Sequence, residues 1–416
     1  MPEARAPMLS LDEALARLLT GGSAALIAEL EAVSTFDALG RVLAADVVSA
    51  IDVPPADNTS MDGYAVRVSD VAQPGAYLPV SQRIPAGVVG SAQAAGSAAR
   101  IFTGAQVPDG ADAVVMQEQC EADEGGVRIL TVPQVGQWIR RRGEDVRSGA
   151  TVLTQGTRLT PQALGLAAGV GTATLSVRRR PRVALFSTGD ELVMPGVVAP
   201  EALAPGAIYN SNRFTLRGLL QAAGCEISDL GIVPDRLDET RAALCDAAAA
   251  HDLILSSGGV SVGEEDHIRP AVAAEGRVEL WQVAIKPGKP LAFGAVRRPI
   301  GGESLFIGLP GNPVSSFVTF LLAVAPVLRA MQGLPGALPQ PLPLTAHFDW
   351  ARPDKRREFL RVRRNAAGGL ELFGNQSSGV LTSAVWADGL VDNPPGHVIA
   401  QGDLVAYHPL SGLIGG

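Results

Sequence analysis

Hydrophobic and polar positions change period along this chain, and the changes divide it into parts. Leu11, Leu15, Leu18 and Leu19 recur at helical spacing, so residues 9–33 are expected to be helical. Ser10 with Glu13 has the spacing of a capping box. From Val47 to about Val146 the texture differs. Short β-rich runs, such as 113–116 and 127–132, alternate with Gly/Pro turns and predict an all-β domain. Residues 148–175 return to a helical pattern, with Pro161 suited to a first helical position and Ala163, Leu164, Ala167 and Ala168 behind it. The simplest organisation is a discontinuous helical domain, 1–46 and 147–178, with the β domain 47–146 inserted. Arg178-Arg179-Arg180-Pro181 is expected to be a linker.

An α/β pattern follows over 179–332. Strand 183–187 precedes helix 211–223, which Gly224 stops. Strand 225–233 precedes helix 237–250, strand 252–256 precedes helix 264–275, and strand 278–285 comes next. Strand 304–308 leads into helix 313–331. Alternation of this kind predicts a parallel sheet with right-handed crossovers, and such sheets bind ligands at the carboxyl ends of their strands. Pro335, Pro339, Pro341 and Pro343 mark a second linker. The C-terminal domain, 333–416, opens with this linker, and the remainder, 344–416, alternates polar and apolar residues and predicts a small β-barrel or sandwich. The expected class is multidomain α/β plus β.

Composition narrows the function. Hydrophobic residues make up 47% and charged residues 18%, so the chain has material for real cores. A net charge of −8 argues against general nucleic-acid binding. The cysteines, Cys120, Cys225 and Cys245, are odd in number and widely spaced, which suits a reduced, cytoplasmic protein better than a disulfide scaffold or zinc site. The start of the chain has no hydrophobic signal core. The longest apolar run, 317–328, contains Pro326 and is too short to span a bilayer, so it predicts a buried helix and no membrane partner.

The candidate chemistry collects after the α/β strands. Ser187-Thr188-Gly189-Asp190-Glu191 follows the first, Pro234-Asp235 the second, and Ser257-Gly258-Gly259-Val260-Ser261 with Gly263, Glu264, Glu265 and Asp266 the third. Leu309-Pro310-Gly311-Asn312-Pro313 follows the last, with Asn312 suited to an N-cap. Glycine and serine loops offer backbone N–H groups to an anion, and acids beside them suit a hard cation, Mg²⁺ before others. Glu191, Asp235 and Asp266 are the candidate metal ligands. An acid at such a loop is also an ordinary helix-start residue. Lys286 and Lys289 in IKPGKP can hold a phosphate or an oxyanion. No GxxxxGK[ST] and no GxGxxG after a strand is present. Residues 259–263 do satisfy G-x-S-x-G, but Ser261 lies too far beyond the strand for a nucleophile elbow, and the histidines form no evident triad.

The set DNTSMDGYAV, RIFTGA, IRRRGED, FSTGDEL, SSGGVSVGEEDH, IKPGKPLAFG and GLPGNPVSS, in this order, resembles the MoeA family of molybdopterin molybdenumtransferases, related to the gephyrin E domain. The resemblance runs from about residue 9 to 410 and is weakest in the C-terminal barrel. It implies a four-domain subunit in a homodimer, with a MogA-like molybdopterin-binding domain. It also implies Mg²⁺-dependent insertion of molybdate into adenylylated molybdopterin with release of AMP. By motif position Asp62, Thr103, Glu191, Asp235, Asp266 and Lys286 match the family's functional residues. Ser187, Thr188, Gly189, Ser257, Gly258, Gly259, Ser261, Lys289, Pro310, Gly311 and Asn312 match its binding loops. Candidate partners are the molybdopterin adenylyltransferase and molybdoenzyme chaperones. Three departures stand out: Gln282 where the family often has a cation, Thr59-Ser60 in the DNSAMDGYA motif, and Ala56 for a common aromatic. The alternatives are molybdopterin adenylyltransferase activity, argued against by residues 9–175, and a non-catalytic gephyrin-like scaffold, argued against by the intact acids.

Overall fold

The computed structural model describes residues 8–260 and 267–415. The chain forms two compact units, one of Ala32–Val177 and one of the N-terminal helix together with everything from Arg178 onward.

The larger unit is built on a six-stranded sheet in the order Glu226–Val233, Arg182–Thr188, Leu253–Ser257, Glu303–Leu309, Pro290–Arg297, Gly276–Gln282. The first four strands of that order are parallel. In the three inner ones the side chains are largely apolar on both faces, as burial under helices on each side requires, whereas the edge strand Glu226–Val233 mixes polar and apolar residues and is mostly half-buried. Val183, Leu185, Leu255, Ile307 and Leu309 belong to one core, and Ala184, Phe186, Ile254 and Phe306 to the other. The expectation of a wholly parallel sheet needs correcting. Pro290–Arg297 runs antiparallel to both Glu303–Leu309 and Gly276–Gln282. The run expected as one strand, 278–285, is two: Gly276–Gln282 in this sheet and Ile285–Lys286 in another. The turn between Gln282 and Pro290 folds the chain back and brings Lys286 and Lys289 to the edge where the parallel strands end.

Helices Ser211–Ala222, Leu237–Ala250 and Ile268–Glu275 cover the sheet. The helix Pro313–Met331 is long and apolar enough to cross a membrane, and it is buried along its length. It passes through one wide turn, Phe320–Val324, and packs against the N-terminal helix Leu11–Ala24. That N-terminal helix begins with the expected capping box, Ser10 and Glu13 exchanging both hydrogen bonds. It does not continue to residue 33. Gly21, Gly22 and Ser23 are poor helix formers, and Leu30–Ser34 is a strand. Arg178–Arg180 does begin at the boundary between the two units, as expected of a linker, but it is not a run of solvated charges: Arg179 is buried, with one side of its guanidinium on Asp252 and its Nε on Glu29.

The C-terminal strands order as Ile285–Lys286, Arg357–Arg364, Gly389–Asn393, Leu404–Pro409, Leu342–Thr345, with Leu370–Leu372 beside Arg357–Arg364. One strand of this sheet is thus donated by the turn at Lys286, and Lys286 pairs in register with Glu358.

The smaller unit holds a six-stranded sheet, Ala113–Met116, Gly63–Val66, Ala98–Ile101, Ala76–Ile84, Gly126–Ile129, Cys120–Ala122. Of the helical pattern at 148–175 only Pro161–Gly169 is helix, capped by Thr160. The threonines and glycines before it favour the strand Thr151–Leu153 instead.

Candidate functional site

The carboxyl ends of the four parallel strands meet in register: Thr188 is opposite Val233, Ser187 opposite Ser257, and Ser257 opposite Leu309. The loops singled out from sequence therefore share one edge. Gly258 turns there at φ 90°, a conformation that favours glycine, and a side chain on it would lie 2.6 Å from the Thr188 carbonyl oxygen. Its N–H donates to the Leu309 carbonyl at 3.1 Å. Asn212, at the start of its helix, donates from Nδ2 to Ser257 Oγ at 2.8 Å and to the Gly311 carbonyl at 2.7 Å, locking two of the loops together. Ser187 Oγ, Thr188 Oγ1 and Ser256 Oγ are buried without a hydrogen-bond partner among the described residues. Buried hydroxyls left in that state are costly unless something outside the chain satisfies them. Glu191 is exposed and Asp235 half-buried on the loops after the first two strands. Asp266 and Ser261 lie outside the described residues. Among the described residues no three His, Cys, Asp or Glu side chains cluster as a metal site would.

Beside this cradle lies a cavity of about 360 Å³. The turn Lys286–Pro290, Asn312, Ser315, Arg356 and Gln376–Ser378 line it. Asn312 stands at the N-cap position of its helix but its side chain makes no capping bond. The Val314 N–H there is taken instead by the Ser378 carbonyl at 3.0 Å. The positive end of a long helix thus faces a pocket with three cationic side chains on its walls, Lys286, Lys289 and Arg356. Two of these are partly neutralised. Lys286 Nζ is 3.2 Å from Glu358 Oε1 and 3.5 Å from Asp354 Oδ2. Arg356 forks onto both oxygens of Asp354, at 2.9 and 2.8 Å. That fork is the main reason the Asp354 carboxyl is held far below the usual range, against the opposing effect of burial. Lys289 has no ion pair among the described residues. The pocket therefore keeps a net positive charge and a set of neutral donors, an arrangement that suits a multiply charged oxyanion.

Sequence reasoning placed Lys286 and Lys289 here but missed Arg356, Ser315, Ser377 and Ser378. The signal available was a cation before the strand Arg357–Arg364 and the polar turn NQSSG. Gln282 is not among the lining residues, and Arg356 supplies a further cation that the reading of Gln282 as a lost charge did not include.

The smaller unit carries its own polar centre. Asp62 Oδ1 accepts from the Thr103 N–H at 2.7 Å and from its hydroxyl at 2.6 Å. These bonds hold the Asp62 carboxyl below its usual range. Phe102, next along, has the Arg83 and Arg100 guanidiniums stacked over its ring at 4.5 and 4.4 Å from the ring centre. The RRRGED loop docks on the DNTSMDGYA loop through Arg141–Asp57 and on the preceding IDVPPA segment through Arg142–Asp52, each at 2.6 Å.

Residues 184–330 match the probable molybdopterin binding domain, which puts the α/β part of the larger unit in that class. The flanks match as well: residues 9–171 the MoeA N-terminal region, domain I and II, and residues 343–410 the MoeA C-terminal region, domain IV. The chain is 37% identical to the molybdopterin molybdenumtransferase of Haemophilus influenzae, over 98% of this chain and 100% of that protein. It is 38% identical to molybdopterin molybdenumtransferase 2 of Mycobacterium tuberculosis, over 86% of this chain and 89% of the relative. The crystal structure of the molybdopterin biosynthesis moeA protein from Pyrococcus horikoshii superposes with a TM-score of 0.81 at 29% identity, covering 96% of this chain and 99% of that one. The chain belongs to the MoeA family.

Proposed function

We propose that this protein is a molybdopterin molybdenumtransferase that inserts molybdate into adenylylated molybdopterin and releases AMP. The observation that carries the reading is the cation-walled pocket beside a glycine-turned cradle with unsatisfied buried hydroxyls, at the carboxyl edge of a sheet whose relatives bear that enzyme name. Lys286, Lys289, Arg356 and the 376–378 turn hold the oxyanion. The Gly258 turn, Ser187, Thr188, Ser257 and the Pro310–Asn312 loop hold the phosphorylated cofactor. Both halves fix the reacting groups next to one another, which removes much of the entropic barrier.

The reaction calls for Mg²⁺. The donor chemistry fits: Glu191 and Asp235 offer hard oxygen ligands at the right edge, and Mg²⁺ takes one or two carboxylates together with phosphate oxygens and water. When bound, the ion neutralises charge on the phosphates. Asp266 is assigned with these two from its motif position, as Asp62 and Thr103 are assigned to the reaction from theirs. The protein acts in the cytoplasm as a homodimer, and the adenylyltransferase that makes its substrate and the chaperones of molybdoenzymes are its partners by function.

Incubating the protein with adenylylated molybdopterin, molybdate and Mg²⁺ tests the reading: AMP appears in a molybdate-dependent way. AMP formation independent of molybdate, or none at all, overturns it. Light scattering at micromolar concentration tests the dimer, and a fully active monomer refutes it.

A further inference from the structure

The strand Arg357–Arg364 carries an arginine that no part of the proposed reaction uses. Arg361 is 1% exposed. Its guanidinium donates to Ser383 Oγ at 3.2 Å, to the Phe359 carbonyl at 3.0 Å and, at a long 3.5 Å, to the Ser377 carbonyl. No carboxylate pairs with it among the described residues. The acid whose charge it feels is Glu358, which is committed to Lys286. Burial without a counter-ion pushes the guanidinium down to about 10. Folding a full positive charge into such a place costs several kcal/mol unless a negative charge repays it.

What surrounds Arg361 shows where that charge belongs. Its backbone is clasped by one side chain: Gln376 Oε1 accepts from the Arg361 N–H at 2.9 Å, and Gln376 Nε2 donates to the Arg361 carbonyl at 3.0 Å. Gln376, Ser377 and Ser378 are a wall of the anion pocket. The guanidinium sits behind the Ser377 carbonyl. In a trans peptide the carbonyl and the following N–H point opposite ways, so the Ser378 N–H is turned away from Arg361. That N–H has no acceptor among the described residues.

We propose that Arg361 is a positioning residue for the oxyanion: it holds the 376–378 wall, polarises the Ser377–Ser378 peptide toward the pocket, and supplies a buried positive charge that the bound dianion compensates. The inference rests on the pocket being the oxyanion site.

It has an unusual signature, because the same charge that helps the anion burdens the empty fold. Replacing a buried ion by a well-packed apolar residue of similar size is often neutral or stabilising. Arg361→Met is therefore expected to melt at or above the wild-type temperature without anion, while the dissociation constant for molybdate, by titration calorimetry, rises about tenfold. Arg361→Lys keeps the charge on a group whose buried ammonium discharges readily. Its molybdate affinity is expected to fall more steeply than the wild type's between about pH 7 and about pH 10. A merely structural arginine gives the reverse: a lower melting temperature for Arg361→Met, molybdate binding within about twofold, and parallel pH profiles for Arg361→Lys. Either unchanged binding in a folded Met variant or a parallel profile in the Lys variant overturns the proposal. Should the Met variant not fold, the Lys profile decides alone. Wild-type protein that binds no molybdate refutes the pocket assignment itself, which distinguishes that failure from this one.

Discussion

Replacing Lys286 with alanine should have two separable effects, because its ammonium pairs with buried Glu358 and, on the proposed function, also faces the oxyanion. The first concerns stability. Glu358 is 0% exposed, and apart from Lys286 its hydrogen-bond donors among the described residues are the Trp350 Nε1–H at 2.7 Å and a distant Asn393 amide at 3.5 Å, with the charges of Arg356 and Arg361 nearby. Orphaning one member of a buried pair typically costs ~3–5 kcal/mol. The Lys286 side chain is 38% exposed, so water already screens the pair, and ~1–3 kcal/mol is the expected loss. The second concerns the oxyanion. A unit charge at about 4 Å with an effective dielectric constant near 20 is worth ~4 kcal/mol before desolvation. Measured hydrogen bonds to charged groups retain ~1.5–3 kcal/mol of this. The molybdate concentration for half-maximal AMP release should therefore rise about 10- to 100-fold.

The double variant Lys286→Ala with Glu358→Gln separates the two. It removes the orphaned charge while keeping hydrogen-bonding atoms for Trp350 and Asn393. Thermal stability should largely return; molybdate dependence should not. The assay is AMP release titrated with molybdate at saturating cofactor, with thermal melts run in parallel. If Lys286→Ala abolishes binding of adenylylated molybdopterin and leaves molybdate dependence untouched, Lys286 is a phosphate ligand and the reasoning fails.

Gly258→Ala forces a side chain to within 2.6 Å of a carbonyl oxygen at φ 90°, and should lower stability by ~1–3 kcal/mol and cofactor binding with it; an unperturbed melt shows that the turn relaxes freely. Asp62→Asn should cut AMP release about a hundredfold while the melting temperature holds, since the exposed Asp62–Thr103 pair carries little of the fold; equal rates return the pair to a loop-bracing role. Burial works against the charge of Asp252, but the Arg179 guanidinium, the Arg182 N–H and the nearby Arg298 outweigh it and hold the carboxyl below its ordinary 3.8. A depressed carboxyl stabilises the fold above its unfolded value and loses that contribution as pH falls through the folded one. Melts from about pH 5 down to about pH 2.5 should therefore decline less steeply for Asp252→Asn than for wild type, and parallel curves contradict the assignment.

The inner parallel strands Arg182–Thr188, Leu253–Ser257 and Glu303–Leu309 were readable because each is a largely apolar run closed by a glycine-containing loop, and a strand buried on both faces needs no more than that to be seen. Pro290–Arg297 escaped the same reading. Its glycine, Gly294, and its start within IKPGKP give it the look of a loop, and only its pairing with Gly276–Gln282 and Glu303–Leu309 makes it a strand. Arg178–Arg180 escaped for the opposite reason. A run of like charges normally faces water, and nothing local reveals that Asp252, 73 residues away, receives Arg179. Asp62 and Thr103 are 41 residues apart, and their hydrogen bonds follow from the pairing of Gly63–Val66 with Ala98–Ile101, which periodicity does not specify.

The pocket shows the limit most clearly, and the physical reason is topological. Its lysines come from a turn at one sheet edge, while Arg356, Gln376, Ser377 and Ser378 come from chain beyond the proline-rich stretch. What unites them is the two-residue strand Ile285–Lys286, which pairs with Arg357–Glu358 and so fixes Lys286 against Glu358. A two-residue strand leaves no periodic trace in sequence. It sets a charge balance all the same. Asp354 and Glu358 hold the cations in place but oppose any incoming anion, so the pocket needs Lys289, the helix N-terminus and a cation behind its wall to remain attractive. A site with its carboxylates so close to its lysines should bind a dianion firmly enough to position it and loosely enough to hand it over, and Glu358→Gln alone should shift that balance toward retention: lower half-saturating molybdate with slower turnover at saturation. Higher half-saturating molybdate in Glu358→Gln would mean that Glu358 acts mainly by aiming Lys286, and that the repulsion is screened.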